Sequence, residues 1–226
     1  MATAELPRSV QKTAKSPFHF NTAASLLRIG RERPANLSEL LEALRVVPDE
    51  SIFQHTFRTL QEHHFIREGF SNDFAQWAFA DCNEVGLAER LSGLDVREFT
   101  SLASLRERII KIVEDYIQQN PRSRDRAALE PFYFCASDTL VIPTELHANN
   151  LEEFIDGIEK VSLHSIHYHF IEARLRLKLT SNDFSVWLER ELGMPALAER
   201  LNRIDIYTST LQDVRRQIVR TLRTAL

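Results

Sequence analysis

Glycine is scarce in this chain, with 6 among 226 residues. That argues against a sheet-rich fold built on many tight turns, and no glycine-rich phosphate loop is present. Cysteine is scarcer still: Cys82 and Cys135 stand alone, outside any Cys-x-x-Cys pair. The pattern predicts two reduced thiols, not a disulfide or a metal site. Long apolar runs are missing, since no stretch approaches the roughly 18 residues of a membrane span. The opening MATAELPRSVQKTAKSP lacks the apolar centre of a secretory signal. A cytoplasmic protein with no membrane partner and a disordered tail over residues 1–16 is the expectation. A basic excess is missing too: 28 Lys and Arg stand against 32 Asp and Glu, for a net charge of −4. No nucleic-acid partner is expected from that balance. Gly-x-Ser-x-Gly and His-Glu-x-x-His are both absent, and neither a cofactor nor a metal is expected.

What is present is internal repetition. PFHF at 17–20 returns as PFYF at 131–134, 114 positions later. At that spacing Leu26 meets Leu140, Asn36-Leu37 meets Asn150-Leu151, Val47 meets Val161, and His55 meets His169. Past the histidines the second copy is four residues shorter. Ser71-Asn72-Asp73-Phe74 and Trp77 then fall on Ser181-Asn182-Asp183-Phe184 and Trp187, and LAER at 87–90 falls on LAER at 197–200. After one more slip Leu105-Arg106 lies over Val214-Arg215, and Ile109 over Ile218. Identities in one order over such a length indicate a duplication: repeats at 17–118 and 131–226, joined by a polar linker at 119–130.

Within each copy the periodicity is helical. Leu151, Phe154, Ile155 and Ile158 stand at i, i+3, i+4 and i+7, the stripe of an amphipathic helix, behind Asn149 or Asn150 as a cap. Phe184, Trp187, Leu188 and Leu192 form another stripe, and Leu211, Val214, Ile218 and Leu222 a closing one. The aromatic alternation after each proline predicts a short extended segment opening each repeat. The expected fold is therefore mainly α: two homologous helical repeats packed with pseudo-two-fold symmetry.

Candidate functional residues come in two sets. Asn72, Asp73, Asn182 and Asp183 directly precede helical stripes, where side-chain oxygens can accept from free backbone N–H groups and an acid suits the helix dipole. The same residues are also candidates for a duplicated ligand site. His55 and His169 occupy equivalent places on the flank of an apolar stripe, and imidazole titrates near neutral pH. Arg174 and Arg176 follow His169 in a basic run suited to bidentate recognition of a carboxylate or phosphate. His164 and His167 share a helical face, but the first copy has Glu50 and Phe53 there, and zinc is not expected.

The order Phe-x-Phe, Asn-Leu-x-Glu, Ser-Ile-x-x-His, Ser-Asn-Asp-Phe-x-x-Trp and Leu-Ala-Glu-Arg resembles a family of uncharacterised bacterial and archaeal proteins known as a domain of unknown function. The resemblance covers nearly the whole chain after the tail. It implies an organisation and no activity or cofactor. The favoured function is a non-catalytic binding or regulatory module, monomeric or homodimeric. It would recognise a protein partner or a small anionic metabolite at the inter-repeat surface, through His55, His169, Arg174, Arg176 and the Asn-Asp pairs. The alternatives are an enzyme using His169 as acid or base with Arg174 and Arg176 on an anionic substrate, and a structural subunit of an assembly.

Overall fold

The computed structural model describes residues 12–58, 70–173, 179, 181–207 and 209–226. Strand β1 (Phe18–Ile29) leads into α1 (Leu37–Val46), then α2 (Asp49–Phe53) with a π-helical turn (Gln54–Arg58). Helices α3 (Asp73–Ala80), α4 (Val85–Ser92) and α5 (Leu102–Gln119) follow. Strand β2 (Cys135–Ala148) precedes α6 (Leu151–Lys160), α7 (Leu163–His167) with its own π-helical turn (Tyr168–Glu172), α8 (Asp183–Arg190), α9 (Pro195–Asn202) and α10 (Leu211–Arg223).

The expected mainly α fold is corrected by the strands. The extended segments are 12 and 14 residues long, and they pair in a two-stranded sheet. The pairing is antiparallel: Gly30 N–H donates to Phe134 O at 2.7 Å near one end, and Thr144 Oγ1–H donates to Phe20 O at 2.7 Å near the other. The chain is mixed α/β. Only the first residues of β1 carry the alternation that marks a half-buried strand, with Phe18 and Phe20 buried and His19 exposed. Farther along, both faces meet solvent, and Leu26, Leu27, Ile29, Leu140 and Ile142 are all exposed. A strand exposed on both faces has no apolar period to read.

By compactness the chain divides into a continuous unit, residues 25–139, and a split unit made of residues 1–24 with 140–226. These limits fall elsewhere than the boundaries of the sequence register. PFHF at 17–20 falls in the split unit, and PFYF at 131–134 in the continuous one.

In the continuous unit α1, α2 and α4 pack on α5, burying Leu40, Leu44, Ile52, Leu87, Ile109 and Val113. Phe132 stacks on Phe74 at 5.1 Å and meets Trp77 edge-on at 5.8 Å. The Trp77 indole N–H donates to Glu130 O at 2.8 Å. Each buried aromatic side chain contributes on the order of 2–3 kcal/mol of transfer free energy, and edge-to-face pairs add somewhat to that.

The split unit is built the same way: α6 and α7 lie on α10, and α8 lies on α9. Phe18 meets Phe154, Phe184 and Trp187 edge-on within 5.7 Å, and the Trp187 N–H donates to Ser16 O at 2.9 Å. Residues 12–16 are tied further by Ala14 N–H to Asn149 O at 2.6 Å and Ser16 N–H to the Glu191 carboxylate at 3.0 Å. Phe20 packs so closely on Gly157 of α6 that a Cβ there would strike its ring.

Helix starts are alike in the two units. Asn36 and Asn150 each accept the N–H three residues on at 2.9 Å, while Glu39 and Glu153 reach back to the N–H groups of Ala35 and Asn149 at 2.8 Å. These are reciprocal capping boxes. The backbone bond from Asn149 leads in holding the Glu153 carboxyl below its ordinary range.

Candidate functional site

His169 sits in the π-helical turn after α7 and is fully buried. A π turn places one extra residue in the helical path. His169 Nδ1 lies 2.6 Å from Asp183 Oδ2, and its Nε2 accepts the backbone N–H of Asn21 on β1 at 2.7 Å. A backbone N–H can only donate, so Nε2 carries no proton and the ring proton is on Nδ1, facing the carboxylate. The ring stacks on Phe184 and is met by Phe18 at 4.9 Å. Asp183 opens α8, whose cap Asn182 accepts the Ser185 N–H at 2.9 Å. Asn182 Nδ2 donates to Asn202 Oδ1 at 2.7 Å, tying α8 to the end of α9.

The continuous unit carries the same tie. His55 Nδ1 lies 2.7 Å from Asp73 Oδ2, and Nε2 accepts the Cys135 N–H of β2 at 2.8 Å. Cys135 is 114 positions from Asn21, the spacing of the sequence register. Asn72 accepts the Ala75 N–H at 2.9 Å and donates to Leu91 O at 2.9 Å. In each unit one imidazole bonds a strand to the start of a helix. With Nε2 occupied by an amide and Nδ1 by a carboxylate, neither ring nitrogen is open to exchange a proton with a ligand.

One more buried histidine breaks the likeness. His167 Nδ1 lies 3.0 Å from Glu172 Oε1 with both side chains about 1% exposed. The residues 114 positions earlier are Phe53 and Arg58.

A different chemistry gathers on the last helix. α10 turns Leu211, Val214, Ile218 and Leu222 inward, leaving Arg216, Arg220 and Arg223 on another face at i, i+4 and i+7. With Arg215, and Glu159 of α6, they line a groove of about 710 Å³. Arg215 donates to Val161 O at 2.6 Å, and burial pulls its pKa below the usual arginine value. Arg223 donates to Glu159 at 2.8 Å, and Arg216 pairs with Asp213.

Residues 15–223 match the family described as DUF5752, a family of unknown function. The chain belongs to that family. The solved structure of OrfY from Thermoproteus tenax is similar to this DUF5752 chain at 32% identity and a TM-score of 0.85, over 96% of this chain and 98% of that one. No curated protein matches the chain.

In this DUF5752 protein the predicted residues separate into two groups. His55 meets Asp73 and His169 meets Asp183, with Asn72 and Asn182 capping the helices that carry the acids. Arg174 and Arg176 lie outside the described residues. Glu172, three residues after His169, meets His167, and the acid on His169 comes from 14 residues away. The arginine face of α10 was not singled out. Its signal was available as three arginines at i, i+4 and i+7 opposite an apolar stripe. Among the described residues no group of three or more His, Cys, Asp or Glu side chains is placed to hold a metal, and no helix is long and apolar enough to cross a membrane.

Proposed function

We propose that this chain is a non-catalytic, cytoplasmic binding or regulatory module whose ligand is a small anion, taken at the α10 groove. The observation that carries this is the lining: four guanidinium groups face one carboxylate, in a chain whose net charge is −4. A local field of that sign, against the charge of the whole, draws anions specifically to one place. The volume lies within the few hundred to about a thousand Å³ usual for small-molecule sites. The occupied ring nitrogens of His55 and His169 favour binding over acid–base catalysis.

A thermal-shift titration with sulfate, citrate and pyrophosphate at low ionic strength tests the proposal. A saturable rise in melting temperature is expected, corresponding to about 2.7 kcal/mol at a hundredfold excess over Kd and shrinking as salt screens the groove. Absence of any response to all three anions would overturn it. Chemical turnover of a bound anion would return the enzyme alternative.

A further inference from the structure

We infer that the α10 groove is built for a phosphate group, and that its ligand is a small phosphate monoester or diphosphate rather than a carboxylic acid; this rests on the anion-binding proposal and narrows it. The first support is a comparison within the chain. In the continuous unit three bases in this region each have an acid: Arg106 meets Asp49 at 2.6 Å, Arg45 meets Glu114 at 2.6 Å, and Lys111 meets Asp115 at 2.7 Å. Arg106 also donates to Leu44 O and Val47 O at the end of α1. At the register positions of the split unit the carbonyl bond remains, from Arg215 to Val161 O, and three acids have gone, while Asp213 stands at the position of Ser104 and pairs with Arg216. Asp49 is replaced by Leu163, Glu107 by Arg216, and Asp115 by Thr224. The Arg45–Glu114 pair is kept with its polarity reversed, as Glu159 and Arg223.

Arg215 and Arg220 are thereby left without a carboxylate. Arg215 lines the groove with its terminal nitrogens donating to Glu159 O and Val161 O and its Nε enclosed away from solvent. Arg220 is exposed and makes no ion pair with any described residue. Three guanidinium groups lining one groove suit a ligand with more charge and more acceptors than one carboxylate, whose two oxygens match a single guanidinium fork. A phosphate monoester carries nearly two charges at neutral pH and three terminal oxygens, so it can meet Arg215, Arg220 and Arg223 together.

Phosphate monoesters exist both as free metabolites and as lipid headgroups. The proposed ligand is the free form, and the vesicles in the test below separate the two sources.

The test is isothermal titration of the full chain with pyrophosphate, with citrate as the carboxylate control at matched ionic strength, and with phosphatidic-acid vesicles. Pyrophosphate is expected to bind at least tenfold more tightly than citrate. Arg220→Gln should weaken it at least tenfold with the melting temperature unchanged, and Arg220→Lys should recover only part. Lys111→Gln, at the equivalent place in the other unit, should leave binding as it was. Citrate binding as tightly as pyrophosphate would overturn the phosphate assignment while keeping the anion site. No binding of either would overturn both. Pyrophosphate binding untouched by Arg220→Gln would remove the ligand from this groove. Capture by the vesicles without a response to pyrophosphate would overturn the free-metabolite source.

Discussion

His55 and His169 make the same two bonds, one to a strand amide and one to the first acid of a helix. Arg106 and Arg215 are alike only in part: both hold carbonyls at the end of a preceding helix, but one meets Asp49 and the other no acid. The imidazoles of the ties are buried while Asp73 and Asp183 are partly exposed, so losing a histidine leaves a strand N–H without its acceptor. The faces of α5 and α10 are open to water, where charges can be reversed or removed at little cost to stability. The two closing helices differ where a difference is cheap for the fold, and there the second one has become basic.

The ties are the place to break this comparison with the largest effect. His55→Ala and His169→Ala should each lose about 2–4 kcal/mol, from the cavity left and the strand N–H deprived of its acceptor. Urea denaturation of each variant measures the loss, and values differing by more than about 1 kcal/mol would show that the two ties are not equivalent. A smaller effect is expected at the helix under each Phe-x-Phe. Gly157→Ala drives a methyl into the Phe20 ring, and overpacking of about 1–3 kcal/mol should exceed the propensity gain of about 1 kcal/mol. Ala43→Gly, at the equivalent position, should lose only about 1 kcal/mol. A stabilised Gly157→Ala protein would mean that Phe20 can move away. The smallest change in stability should come from restoring the missing acid. Leu163→Asp puts a carboxylate where Asp49 stands in the other unit and should shift stability by no more than about 1 kcal/mol. It should also weaken pyrophosphate binding severalfold in the same titration; unchanged binding would show that Arg215 takes no part in the groove.

Much of the helical framework was legible. The stripe Leu151, Phe154, Ile155 and Ile158 became α6, with Asn150 as its cap, and Asn182 caps α8 as its place before a stripe implied. The ribbon was not legible beyond its aromatic openings, because residues exposed on both faces lose the period of two. The histidines and aspartates were each noticed, yet their pairing was hidden by sequence distance: 18 residues separate His55 from Asp73. Helical spacing predicts neighbours three or four apart and says nothing about contacts across a turn. The basic groove needs two helices to exist, since Glu159 lies on α6 and the arginines on α10.

The crossed placement of the two Phe-x-Phe segments also bears on how the protein is made. Ser16 accepts its bond from Trp187, 171 residues later. At ribosomal rates of about 5–20 residues per second, the opening residues of the first strand wait on the order of ten seconds or more for the helices they belong to. Phe18 and Phe20 wait through that interval, while residues 25–139, with the last part of β1, can complete their own unit once Thr139 has emerged. The newborn chain therefore closes from the middle outward, and the opening residues of its first-made strand are among the last to find their place.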